Sequence, residues 1–284
     1  MDRSGGPQCQ CLLGCCARWS STGGTPSSTH EHDGDLPVVG QEMRIMTWTA
    51  GPLLGFDTET TGVDVANDRI VTAALVRRDA TGSDVRTWII NPGVPIPAEA
   101  AAIHGVTTEM AQAQGAAPAQ ALDEIAAALA RALHDGVPVV AFNATFDICI
   151  LEAELARHGL VSLADRIGRE VSPVIDPLVL DRAVDRYRRG KRKLVDLCEV
   201  YGVGGDGDLH NADVDVLATL DVLAAMTARH PSLAELELTA LHAFQAVEHT
   251  KWAVNFNSWR ESKGLDGPGA GESWLSDHRQ IGAL

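Results

Sequence analysis

Asp57 and Glu59 stand two residues apart in Phe56-Asp57-Thr58-Glu59-Thr60-Thr61-Gly62, directly after an apolar run. On an extended strand that spacing points both carboxylates to one face. Two like charges side by side in a half-buried place are costly unless a cation sits between them. Oxygen-only ligands suit a hard ion, Mg²⁺ or Mn²⁺. The same residues could equally close a hairpin as an acidic turn. A second acidic segment, AFNATFD at 141–147, lies where an apolar strand gives way to a helix, a usual location for site residues in α/β folds. Asp147 can add a third carboxylate. Asn143 is a good helix N-cap, and an acid in the first turn suits the helix dipole, so capping and coordination can coexist. The third segment is His210-Asn211-Ala212-Asp213-Val214-Asp215, after a glycine-rich stretch at 202–209. A His at a loop edge and an Asp five residues on can supply a mobile base and a fourth carboxylate.

Other patterns carry less chemistry. Gly202-Val203-Gly204-Gly205-Asp206-Gly207 formally matches a dinucleotide fingerprint but follows a helix instead of a strand. No Ser-hydrolase elbow, Walker loop or zinc-protease motif occurs. Cys9, Cys11, Cys15 and Cys16 crowd the N-terminus, without the paired spacing of a zinc module. Leu12-Leu13-Gly14-Cys15 mimics a lipoprotein cleavage site, yet the stretch before it is too short and polar for a signal peptide. Residues 182–193 (RAVDRYRRGKRK) form the one dense basic run. Such runs are usually solvated faces, but beside a carboxylate site this one would attract phosphates and single strands.

Several elements must position these groups. Strands are expected at 53–56, 69–77 and 86–90 as an antiparallel meander, with two more near 137–142 and 174–175. Apolar spacing predicts helices over 117–133, 144–158, 178–187, 193–201 and 212–228. That order is α/β without simple βαβ winding. The chain of 284 residues is 45% hydrophobic and 21% charged, an ordinary globular balance that excludes collagen, coiled coil and wholesale disorder. No run of about 18 apolar residues exists, so no membrane association is expected. A net charge of −15 argues against gripping long duplex nucleic acid, though not against holding a strand end.

Taken in order, the three acidic segments resemble the motifs of the DnaQ-like, DEDDh family of 3′–5′ exonucleases, typified by the proofreading epsilon subunit of bacterial replicative DNA polymerase. FDTETTG matches the first motif, AFNATFD the second, and His210 with four residues before Asp215 the third. Asn91-Pro92-Gly93 through Ile103-His104-Gly105-Val106-Thr107 resembles the family's NPG…IHG(I/V)T linker. The resemblance covers residues 52–230. It implies an RNase H-like fold with a central mixed five-stranded sheet flanked by helices, two divalent metal ions, and release of mononucleotides from a 3′ end. By the same resemblance Asp57, Glu59, Asp147 and Asp215 would hold the metals and His210 would deprotonate water. Thr58, Thr60, Thr61, His104, Asn143 and Phe146 would meet the terminal nucleotide, with local packing as the alternative role. Asp213 is a spare carboxylate; the spacing assigns the metal to Asp215.

The organisation expected is a disordered leader (1–50), an exonuclease domain (51–230), a helical extension (231–263) and a mobile tail (264–284). Met43 or Met46 could be the true start. Trp252, Phe256 and Trp259 at i, i+4, i+7 are expected to pack onto the domain. The function expected is metal-dependent 3′–5′ exonuclease on single-stranded or frayed DNA ends, cytoplasmic, with a proofreading role and a DNA polymerase subunit as partner. An exoribonuclease and a non-catalytic polymerase-associated adaptor are the alternatives.

Overall fold

Residues 47–204, 211–267 and 269–275 are described by the structure, a computed structural model. The expectations for the cysteine cluster, the start at Met43 or Met46, all but the last four residues of the leader, His210 and the tail beyond 275 lie outside the described residues.

Five strands form one sheet: β1 (Leu53–Thr60), β2 (Ile70–Asp79), β3 (Gly82–Ile89), β4 (Val139–Val140) and β5 (Val174–Ile175), in the order β3-β2-β1-β4-β5. β1, β2 and β3 run antiparallel, while β4 pairs parallel with both β1 and β5. The mixed five-stranded sheet is the one expected. β1 runs further than its apolar start suggests. Asp57, Thr58 and Glu59 pair with Ala74, Ala73 and Thr72, and the register slips between Glu59 and Thr60. A full-length partner strand thus carries the polar motif as sheet instead of turn.

Helices cover both faces. α1 (Ala98–His104), α2 (Thr108–Gln114) and α3 (Pro118–His134) precede β4; α4 (Ala144–Arg157) and α5 (Leu163–Ile167) separate β4 from β5. α6 (Pro177–Val184), α7 (Leu194–Tyr201), α8 (Ala212–Arg229), α9 (Pro231–Ala234) and α10 (Leu238–Ser262) follow. Alternation along β1 sets the layers. Leu54 and Phe56 enter one core with Leu122, Ile125 and Leu129 of α3 and Ile148 and Leu151 of α4. On the other face Ala74, Val76, Val140 and Ile175 pack against Val216, Leu220 and Leu223 of α8. The short helices α1, α2 and α5 escape a periodicity reading because seven residues or fewer hold under two turns.

α10 closes the sheet edge. The Val174 N–H donates to His242 Nδ1 (3.1 Å) and the Asp176 N–H to Gln245 Oε1 (2.7 Å), while Gln245 Nε2 donates to the Val174 carbonyl (3.0 Å). Side chains thereby satisfy backbone groups that an edge strand leaves open. This register turns Leu241, Gln245 and Ala253 inward and leaves the aromatic stripe on the helix's shoulder, with Trp259 50% exposed. Trp252 packs beneath Arg182 of α6, as expected of a stripe lying on the domain, while the stripe as a whole stays outside the core clusters. Among the described residues, no helix is long and apolar enough to cross a membrane.

Candidate active site

The odd residues of β1 face α8, and Gly55 lets the helix come close. A Cβ at Gly55 would lie 2.3 Å from Val216 Cγ1 and 3.2 Å from Leu220 Cδ1. That approach delivers the neighbouring Asp215, from the first turn of α8, to Asp57 and Glu59. Carboxylate oxygens of the three lie within 4.8 Å of one another. Asp213 is not in this cluster.

Asp147 arrives from the opposite layer. β4 ends at Val140, so the Thr58 N–H on that side of β1 has no strand partner. Asp147 Oδ1 accepts it at 3.0 Å and also accepts the Thr58 hydroxyl at 2.7 Å. The N-terminus of α4 that carries Asp147 is held by a residue absent from the expected set. Asp176 accepts the Asn143 and Ala144 N–H groups, each at 3.0 Å, and the Leu178 N–H at the start of α6 (2.9 Å). Asn143 occupies the N-cap position in a left-handed conformation (φ 62°), and its side chain makes no capping bond. The missing cap is supplied from 33 residues away.

Electrostatics mark the cluster. Burial, then the charges of Asp147, Asp215 and Glu59, hold the Asp57 carboxyl well above the usual carboxylate range. Burial and Asp215 push Glu59 up to about 7. Burial raises Asp147 to about 7 against the pull of its Thr58 bonds, with Asp176 adding to the rise. Burial raises Asp176 to about 6, opposed by its three backbone donors. A set of oxygen donors that must hold protons near neutrality fits a divalent cation, whose charge would let all of them ionise.

The other expected contacts divide. The Thr60 hydroxyl donates to the Gly62 carbonyl (2.6 Å), and the Thr61 hydroxyl donates to Asp68 Oδ1 (2.7 Å) while accepting the Arg69 N–H (3.0 Å). With Thr58 on Asp147, all three threonine hydroxyls have partners inside the protein. Phe146 is half-buried against the core and Asn143 is exposed. His104, the last residue of α1, is buried; its Nδ1 accepts the Val106 N–H (3.2 Å), which places the neutral ring's proton on Nε2, a buried atom close to the Thr60 backbone. Burial lowers its pKa below the usual histidine value, while its own backbone and that of Thr60 pull the other way. Gly55, Asp176 and Gln245 were not anticipated. Asp176-Pro177 is a readable helix-start signal, whereas nothing local in the sequence reveals what Gly55 or Gln245 touch.

A clustered-carboxylate site at the end of a mixed sheet wrapped by helices is an arrangement that the RNase H-like fold provides. The chain belongs to the RNase T-type exonuclease family, whose family model matches residues 54–223. It is 37% identical over 138 residues to a DNA polymerase III epsilon-like protein of Rhodobacter capsulatus, covering 45% of this chain and 17% of that protein. It is 28% identical over 177 residues to the DNA polymerase III epsilon subunit of Treponema pallidum, covering 62% of this chain and 76% of that one. The chain spans only 11% and 17% of the first curated relatives it matches. In fold it is similar to Escherichia coli exonuclease I in complex with a dA16 oligonucleotide, with a TM-score of 0.56 and 20% identity over 70% of this chain and 43% of that one.

Proposed function

We propose that this protein is a metal-dependent 3′–5′ exonuclease that releases nucleoside monophosphates from single-stranded or frayed DNA 3′ ends. The observation that carries the reading is the convergence of Asp57, Glu59 and Asp215 within 4.8 Å inside an exonuclease-family domain. Asp147 joins them from the other layer, fixed by Thr58. These four carboxylates would hold Mg²⁺ or Mn²⁺, which when bound neutralise charge on the scissile phosphodiester and acidify water. The chain's own residues divide the remaining work. His210, by its place in the third motif, takes the proton from the attacking water. His104, by its place in the linker motif, lies near the end nucleotide. DNA is favoured as substrate because relatives are DNA polymerase III subunits and a fold neighbour holds a DNA oligomer. The names of the same relatives support a place beside a DNA polymerase, and a proofreading role there is part of the proposal.

Digestion of matched 3′- and 5′-labelled DNA and RNA oligomers with Mg²⁺, Mn²⁺ or EDTA tests this. Stepwise shortening of DNA from the 3′ end, absent in EDTA and in Asp57→Ala, is the expected result. Release from the 5′ end, or unchanged digestion by Asp57→Ala, would overturn the assignment.

A further inference from the structure

Between α6, the basic loop after it and α10 lies a groove of about 340 Å³, outside the carboxylate site. Its floor is a row of flat groups one helix-face long. The Arg182 guanidinium sits 3.6 Å over the Trp252 ring; Trp252 stacks on Phe256 (5.3 Å, 16°), and Phe256 on Trp259 (5.8 Å, 28°). Tyr187 on the basic loop is 88% exposed and Trp259 50% exposed, so two large aromatics face solvent in one groove. Packing does not require this: α10's buried line is Leu241, Gln245 and Ala253.

The charge is equally one-sided. Five cations line the groove against one carboxylate, Glu248, in a chain of net −15. The basic run is also built and not merely solvated. Fully buried Asp181 binds Arg188 at 2.6 Å, binds Arg192, and accepts the Tyr201 hydroxyl at 3.0 Å. Asp181 and, through Arg188, Asp185 (3.5 Å) fix these two guanidiniums at the groove wall, and Arg182 and Arg186 add positive charge beside them.

The groove adjoins the catalytic cluster through one residue. Asp176 caps α6 and grips the start of α4, which bears Asp147. Arg182 lies six residues further along, about 9 Å by helical rise. Exposed rings supply sequence-tolerant stacking for bases, and interleaved guanidiniums supply phosphate contacts. An acidic protein surface would use the cations and leave the aromatic row unexplained.

We propose that this groove is a second binding surface for single-stranded nucleic acid, holding a few nucleotides 5′ of the end presented to the carboxylates. The proposal rests on the exonuclease reading for its direction along the strand. It predicts that substrate length matters through α10, an element outside the matched family region.

The test compares two substrates of the full-length protein in Mn²⁺: the p-nitrophenyl ester of thymidine 5′-monophosphate, too short to reach the groove, and dT16. Trp259→Ala and Arg186→Ala alter side chains away from the core, and thermal melting checks their folding. Both should hydrolyse the ester within twofold of wild type. For dT16, Trp259→Ala should raise KM about tenfold, the scale of one lost base stack. Arg186→Ala should reduce the slope of log affinity against log salt by about 0.7 for a lost single-strand phosphate contact. Wild-type KM for dT16 in both variants and in the Tyr187→Ala/Trp259→Ala double variant overturns the proposal. So does displacement of dT16 by decaglutamate as efficiently as by unlabelled dT16, which marks an acidic-protein surface. Wild-type protein that binds dT16 through Trp259 but hydrolyses neither substrate sinks the exonuclease reading and leaves the binding surface standing.

Discussion

Replacing Asp147 by Asn should stabilise the metal-free protein at pH 8 and do much less at pH 5. Asp147 is buried, and its pKa rises from 3.8 to about 7. The folded state therefore holds a proton that the unfolded chain has released between about pH 4 and pH 7. Stability falls with rising pH wherever the folded state binds more protons. Across the two pH units from 5 to 7 this costs wild type about 3 kcal/mol at 1.36 kcal/mol per unit. Asn never ionises, and its amide oxygen can still accept both Thr58 bonds. The variant should therefore gain about 3 kcal/mol on wild type over that interval, or about 8 °C at 2–4 °C per kcal/mol. His104, His158, His242 and His249, held below their usual pKa by burial, push the acid limb the other way. They are common to both proteins and cancel in the difference. The assay is thermal unfolding of both proteins in EDTA at pH 5, 6, 7 and 8. A melting difference that stays constant across the series would show that Asp147 carries no raised pKa. Adding Mn²⁺ at pH 8 should raise wild type more than the variant, because a cation that binds only the folded state adds stability by mass action.

Gly55→Ala places a methyl 2.3 Å from Val216 and should displace α8, costing about 1–3 kcal/mol. Nuclease activity should fall at least tenfold while the protein stays folded, and adding Val216→Ala should restore part of it; full activity in the single variant would mean Asp215 is not held by this contact. Gln245→Leu leaves the Val174 carbonyl and Asp176 N–H without partners and should cost about 3 kcal/mol in chemical unfolding, at about 1–3 kcal/mol per unsatisfied buried group. A loss under 0.5 kcal/mol would show that water replaces these bonds. His210→Ala should lower kcat far more than it weakens Mn²⁺ or oligonucleotide binding, read from single-turnover rates and metal titration. Weakened Mn²⁺ binding at unchanged turnover would make it a ligand.

The carboxylates were legible because a two-residue spacing on a strand is a geometric statement: Asp57 and Glu59 share a face whatever the fold, and the sheet supplies that face. The core strands and longer helices were legible from apolar period for the same local reason. What stayed hidden is long-range. Nothing near Asn143 says that its helix start is capped by Asp176, and nothing near Gly55 says which side chain will press on it. The aromatic stripe shows the limit most clearly. Spacing of i, i+4, i+7 identifies one side of a helix but not which side the core takes. On α10 the choice is made by Gln245 and His242 bonding to β5, contacts about 70 residues apart in sequence.

A hydrolase of polyanions has two opposed electrostatic needs, and the two sites answer them separately. The reacting phosphodiester must meet an acidic cluster, which in the metal-free protein keeps protons near neutrality and so discards part of its own charge. The rest of the strand must be held by a chain that carries −15 overall. Uniform basicity would serve the second need but would pair with the carboxylates and compete with the cation for them. Holding Arg188 and Arg192 on Asp181, and Arg182 over Trp252, keeps the groove's cations off Asp57, Glu59 and Asp215. The path between the sites runs through Asp176, which takes backbone donors from both helices and feels the charge of Arg182. With a pKa of about 6 Asp176 is mostly ionised at neutral pH, and its backbone donors together with nearby Arg182 offset that charge between the two sites.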